Sequence, residues 1–222
     1  MTRLTRIVVP DLPHHVTQRG NRRQVLFVEP GDYALYRDLM AERCRANGVA
    51  CWAYGLMPNH VHLILTPTTP DGLARAVGEA HRRYTAFFNA RARVTGHLFQ
   101  GRFASRTMDE PHLIAAARYL AVNPVKARRV EAPAQWPHAN VRARLAGRND
   151  RLVMVAPLRE RVARFADLWE AAKGEDRSAA FDAPGFNGRP LGSAEFVAGL
   201  EAKLGHSLSP GKRGPKPKGG EG

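Results

Sequence analysis

VACWAYGLMPNHVHLILT, residues 49–66, is the stretch on which the fold turns. Two apolar runs, 49–56 and 60–66, are split by Met57-Pro58-Asn59, which reads as a tight hairpin connection between two strands. On a strand, residues two apart share a face. His60 and His62 therefore stand side by side on one face, with Val61 and Leu63 on the other. The plain alternative is a pair of half-buried histidines bonded to backbone or carboxylates. The surrounding chain has to decide between the two.

Upstream, HHVTQRG (14–20) alternates His15, Thr17 and Arg19 against Val16 and Gln18, so a strand is expected, ending at the Gly20-Asn21 turn. Leu35, Leu39 and Met40 predict a helix from Asp32 to Asn47, stopped by Gly48. Downstream, Asp71 caps a long helix to about Val94, and GHLFQGRF (96–103) leads into a strand near 103–107. Asp109, with Pro111 in the first turn, opens a helix to Val122 that stops before Asn123-Pro124. The order is strand, helix, strand, strand, helix, strand, helix. It predicts an α+β fold, the ferredoxin-like βαββαβ sheet with one helix added. Past 150, Leu158, Val162, Phe165 and Trp169 predict a helix over 152–172. A Gly/Pro-rich connector (183–192) and a short helix, Ser193 to Lys203, follow. SPGKRGPKPKGGEG (209–222) has nothing to bury and is expected to be disordered. The divisions are 1–150, a helical extension at 151–205 and a basic tail at 206–222.

The 222 residues are 44% apolar, enough for one full core. Two cysteines, Cys44 and Cys51, make neither a disulfide framework nor a zinc signature, and the N-terminus lacks a signal-peptide core. No apolar run is long enough to span a membrane. A cytoplasmic protein is the expectation. Formal net charge is +14, and the excess is local. Residues 75–106 hold seven arginines against Glu79; residues 118–151 hold eight basic residues against Glu131 and Asp150. Residues 152–205 are near neutral. A basic excess this large points to nucleic acid, and the arginine fork suits phosphate.

Two neutral imidazoles hold a divalent cation but leave positions open, so a catalytic site needs a further ligand. RYLAVNP places Tyr119 and Asn123 one helical turn apart on one face. Leu113, Ala116, Ala117 and Leu120 form the face that packs on the sheet. Asn123 offers a neutral carbonyl oxygen to a hard cation, with the Tyr119 hydroxyl one turn away.

These motifs resemble a known family. HVH within PNHVHLIL is similar to the HUH motif of single-tyrosine transposases. VTQRGNRRQ, HLFQGRF and RYLAVNPVKA resemble the REP-associated tyrosine transposases (RAYT proteins), over about residues 10–140. The resemblance implies a ferredoxin-like HUH transposase or nuclease domain in 1–150, with the added helix as the catalytic one. It makes Tyr119 the nucleophile, and His60, His62 and Asn123 the ligands of Mg2+ or Mn2+. Better-studied relatives often carry Gln at the Asn123 place, which reaches further. Arg19, Arg22, Arg23, Gln100 and Arg102 match family motifs and are expected to hold DNA backbone or bases; solvated surface side chains are the plain alternative. Phe99 and Phe103 are candidates to stack on bases, with core burial the alternative, favoured for Phe103.

The expected reaction is metal-dependent endonuclease cleavage and strand transfer on single-stranded DNA beside hairpin-forming repeats, through a 5′-phosphotyrosine link. Among the other tyrosines, Tyr33, Tyr36 and Tyr54 read as packing residues. Tyr84, in RRYTAFFNA, is the rival nucleophile, but Phe88 stands where its metal ligand would be. His14 and His15 face opposite ways, so only one can join a site; they, His97 and His112 read as structural or DNA-contacting. Two other functions fit part of the pattern. One is a non-catalytic DNA- or RNA-binding protein. The other is a His-x-His metallohydrolase using activated water, with Asp71 the sole nearby carboxylate candidate. Single-stranded and hairpin DNA are the expected partners, with no membrane, and a homodimer is left open.

Overall fold

The hairpin at 49–67 forms one half of a four-stranded antiparallel sheet. The computed structural model describes residues 7–170, 181 and 188–208. Strands β1 (His14–Arg19), β2 (Val49–Met57), β3 (His60–Pro67) and β4 (Ala104–Thr107) alternate with helices α1 (Pro30–Ala46) and α2 (Gly72–Ala92), and α3 (Glu110–Lys126) follows. The strand order is β2-β3-β1-β4, every neighbour antiparallel. This is the ferredoxin-like arrangement with its added helix.

The pleat sorts the side chains. Paired residues share a face, so Val16 with Leu63 and Gln18 with Val61 point one way, and Thr17 with His62 and Arg19 with His60 point the other. Val16, Val61, Leu63 and Leu65 are buried with Tyr36, Met40, Leu73, Val77 and Tyr84 of α1 and α2. On the second face Ala53 and Ile64 meet Leu113, Ala116, Ala117 and Leu120 of α3. That face is only partly covered, and both histidines of the hairpin lie on it.

Later segments occupy the two sheet edges. Beside β2, Ala139 bridges Gly55, Val153 bridges Cys51, and Leu56 N–H donates to His138 O at 2.9 Å. Beside β4, Leu191 N–H donates to Thr107 O (2.8 Å), and Asp109 N–H to Leu191 O (2.9 Å). The GRPLG stretch thus seals an edge. The Ala194–Leu204 helix, capped by Ser193, follows close to its expected bounds.

Two expected boundaries are corrected. The helix over 152–172 does not form: Leu152, Val153 and Val155 are drawn into the core, and only Ala156–Arg159 and Asp167–Glu170 are helical there. Burial against β2 outweighs the 3.6-residue pattern. The third helix runs past Asn123 and through Pro124 to Lys126, with Ala127 N–H donating to Asn123 O at 2.9 Å. Pro124 lacks the N–H that would meet the Leu120 carbonyl. That carbonyl lies against β2, 3.3 Å from where a Cβ on Gly55 would stand. The expected disorder at 209–222 and the first half of the 183–192 connector fall outside the described residues.

Candidate active site

β3 and α3 bring the imidazole pair and the phenol together. The His60 and His62 rings lie 5.0 Å apart at 89°. The Tyr119 ring sits edge-on to His62, with centroids 5.0 Å apart and planes at 82°. Tyr119 and His62 are buried, at 3% and 4% exposure, whereas His60 is half-buried. Asn123 follows Tyr119 by one turn of α3, half-buried, its Nδ2 shielded from solvent and without a hydrogen-bond partner among the described residues.

Each histidine has a neighbour on Nδ1. His60 Nδ1–H donates to Asn59 Oδ1 at 2.7 Å. His62 Nδ1 lies 3.1 Å from His15 Nε2, with the two rings parallel to within 3° and 5.3 Å apart. The Nε2 of His62 is buried and has no hydrogen-bond partner among the described residues. An unmet buried nitrogen is costly unless something binds it. Burial first, then His15, His60 and Arg19, push the His62 pKa well below its ordinary value. His15 is lowered to about 3 by burial and by the Arg106 guanidinium. Both imidazoles are therefore neutral at physiological pH, and neutral imidazole is the metal-ligating form.

Sequence reasoning reads His15 as structural or DNA-contacting and gives Asn59 no role beyond the hairpin turn. The signal for His15 was present: it shares the alternation of Thr17 and Arg19, and β1 beside β3 turns that face toward His62. Phe181 closes over the same spot, 5.1 Å from the His15 ring and 5.4 Å from Tyr119.

The candidate DNA contacts gather at the His60 end of the sheet. Arg19 pairs with His60 across β1–β3. Arg22 and Arg23 are exposed on the Asn21–Arg23 3-10 turn, both with left-handed backbone (φ 49° and 63°). Asn59 Nδ2 donates to Arg23 O at 3.2 Å, tying that turn to the hairpin beside His60. Gln100 N–H donates to Arg19 O at 2.8 Å, so exposed Gln100 and Arg102 flank the same end.

The competing residues lie elsewhere. Tyr84 is fully buried on the α1–α2 side, where its hydroxyl donates to Leu26 O at 2.7 Å. Tyr36 bonds to His81 and Tyr54 to Asp150. Phe99 is corrected from a base-stacking candidate to a packing residue: it is 7% exposed and stacks on His81 at 4.3 Å. Phe103 is buried, as favoured. Asp71 follows the far end of β3 and pairs with Arg75 at 2.7 Å.

A divalent cation is what this class of site implies, and the donor set suits one: an orphaned His62 Nε2, a half-buried His60 and a nearby amide. Among the described residues, no three His, Cys, Asp or Glu side chains converge on a common metal position.

No curated protein matches the chain. Among solved structures, a REP-associated tyrosine transposase bound to a REP hairpin is 21% identical, with TM-score 0.57 over 68% of this chain and 90% of that one. That likeness bears on the fold. A candidate transposase from Deinococcus radiodurans R1 is 22% identical over 58% of this chain and 98% of the other, but its TM-score of 0.38 is too low to add to it. Residues 8–123, from the lead into β1 to Asn123 itself, match the family described as "Transposase IS200 like", so the sheet, its imidazole pair and Tyr119 all lie within the match and the chain belongs to the IS200-like transposases.

Proposed function

We propose that this chain cuts and rejoins single-stranded DNA beside hairpins formed by repeat sequences, through a 5′-phosphotyrosine link at Tyr119. The observation that carries this reading is the Tyr119 ring lying edge-on to His62, whose Nε2 is buried and unmet. The hairpin-bound fold relative supports the choice of substrate, as does the cluster of four arginines, Arg19, Arg22, Arg23 and Arg102, with Gln100, at the His60 end.

His60, His62 and Asn123 would hold Mg2+ or Mn2+. When bound, the cation polarises the scissile phosphate and offsets the charge of the transition state. The Tyr119 oxygen attacks phosphorus, the P–O3′ bond breaks, and the 3′-oxygen leaves as a hydroxyl after gaining a proton. The phenol proton is lost in the same exchange. Because phosphoester energy is conserved, a second 3′-hydroxyl can attack the phosphotyrosine and release Tyr119, joining strands without ATP. Burial of Tyr119 and His62 keeps water from competing for the link. Arg19 and the exposed basic residues position the backbone.

The test uses labelled hairpin DNA with a single-stranded flank and Mn2+, resolved on a denaturing gel. A covalent protein–DNA adduct, abolished in Tyr119→Phe, is expected. Cleavage that survives Tyr119→Phe would instead mark an activated-water hydrolase. Binding without cleavage would mark a DNA-binding module.

A further inference from the structure

Of the histidines on the α3 side of the sheet, His15 has no part in the reaction above, yet it makes the closest polar contact to His62. We infer that His15 is a positioning residue: it accepts the Nδ1–H of His62 and so fixes the tautomer that presents the His62 Nε2 lone pair to a divalent cation. The inference rests on the reading of His60, His62 and Asn123 as the cation site.

A neutral imidazole has one donor nitrogen and one acceptor nitrogen. Two patterns can therefore fill the 3.1 Å contact between His15 Nε2 and His62 Nδ1. If His15 donates, His62 carries its hydrogen on Nε2 and cannot ligate. If His62 donates, its Nε2 holds a lone pair. That Nε2 is buried and has no hydrogen-bond partner among the described residues. In the first pattern it is a buried N–H that cannot ligate; the second places the hydrogen on the likewise buried His15 Nδ1 and leaves His62 Nε2 a lone pair that a cation can take. The second pattern is the one that the site can use.

The fold leaves His15 little freedom to turn. It is fully buried on β1, across from Ile64 on β3 and Arg106 on β4, with Phe181 edge-on to its ring at 5.1 Å. Its plane matches that of His62 to within 3°. Asn59 does the equivalent for His60, its Oδ1 taking the Nδ1–H at 2.7 Å. Both imidazoles of the pair are thus held by Nδ1 and directed through Nε2, each by a different neighbour.

The full chain, labelled with 15N-histidine, is first read by long-range 1H–15N NMR without metal. The His62 hydrogen is expected on Nδ1, with His15 Nε2 unprotonated. Mn2+ affinity without DNA is then measured by electron paramagnetic resonance for the parent, His15→Phe, His15→Gln and His62→Ala. Phenylalanine keeps the ring and removes the acceptor, so its affinity falls about 10- to 100-fold. Glutamine, whose Oε1 can accept, restores most of it. A His62 hydrogen on Nε2 in the parent would overturn the inference. So would parental affinity in His15→Phe alongside lost binding in His62→Ala, which leaves the cation site itself standing. Mn2+ binding indifferent to His62→Ala would overturn both. Should His15→Phe not fold, the parent tautomer and the glutamine variant decide.

Discussion

Gly55 stands directly across from His62 on β2, and the reason it is glycine lies on α3. A Cβ there would come within 3.3 Å of the Leu120 carbonyl, the same carbonyl that Pro124 leaves without its helical donor. Gly55→Ala therefore pushes on the turn after Tyr119. A stability loss of about 1–3 kcal/mol is expected from such overpacking, read as a lower urea midpoint. Covalent-adduct yield should also fall by roughly 3- to 10-fold, because small misplacement of a nucleophile is costly. Parental yield with parental stability would show that α3 does not depend on this contact. At this scale the sequence exposed the His60, His62, Tyr119 and Asn123 set, because each residue type carries its own chemistry. It did not expose His15 or Asn59 as orienting partners. Their roles depend on which atom meets which, and spacing alone holds no such information.

Among the elements, β1 joins the two faces of the sheet, and the hydrogen bonds of its His14 make one face sensitive to acid. His14 Nδ1–H donates to Leu12 O (2.8 Å), while Nε2 accepts from Val9 N–H (3.1 Å) and bonds to the Thr107 hydroxyl (2.9 Å). This pattern needs the neutral ring, and burial lowers its pKa to about 4. An unfolded His14 takes up a proton near pH 6.5, the folded one only near 4, so acid favours the unfolded chain between those values. Stability is complete above pH 6.5 and is lost as the pH falls toward 4, by as much as roughly 3 kcal/mol from this residue. His138, also lowered to about 4 by burial and then by Arg37, adds in the same direction. The urea midpoint should drop between pH 7 and pH 4.5, and less steeply in His14→Gln; a flat midpoint would refute this. Element boundaries were legible where one period ruled, as in the 49–66 hairpin. They failed where packing overrode the pattern. Val153 and Val155 went to the core instead of a helix, and α3 kept its last turn despite Pro124 because its carbonyl found room beside Gly55.

Across the whole molecule, a net charge of +14 is biased toward the motif-bearing part of the chain. If Arg22 and Arg102 hold phosphates, each change to Ala should lower the slope of log affinity against log salt by about one. Arg151, paired with Asp38 at 2.7 Å, is the control and should leave the slope unchanged. Equal slopes in all three variants would refute the placing of the DNA track beside His60. The bulk charge predicted a nucleic-acid partner, but the gathering of Arg19, Arg22, Arg23, Gln100 and Arg102 at one end needed the fold, since about eighty residues separate the two groups. The closed rims of the sheet carry a last consequence. With residues 138–140 and 153 lying along one border and Leu191 along the other, a second copy cannot readily prolong the ribbon by docking strand to strand. A second copy adding a strand at either border would first have to displace these segments.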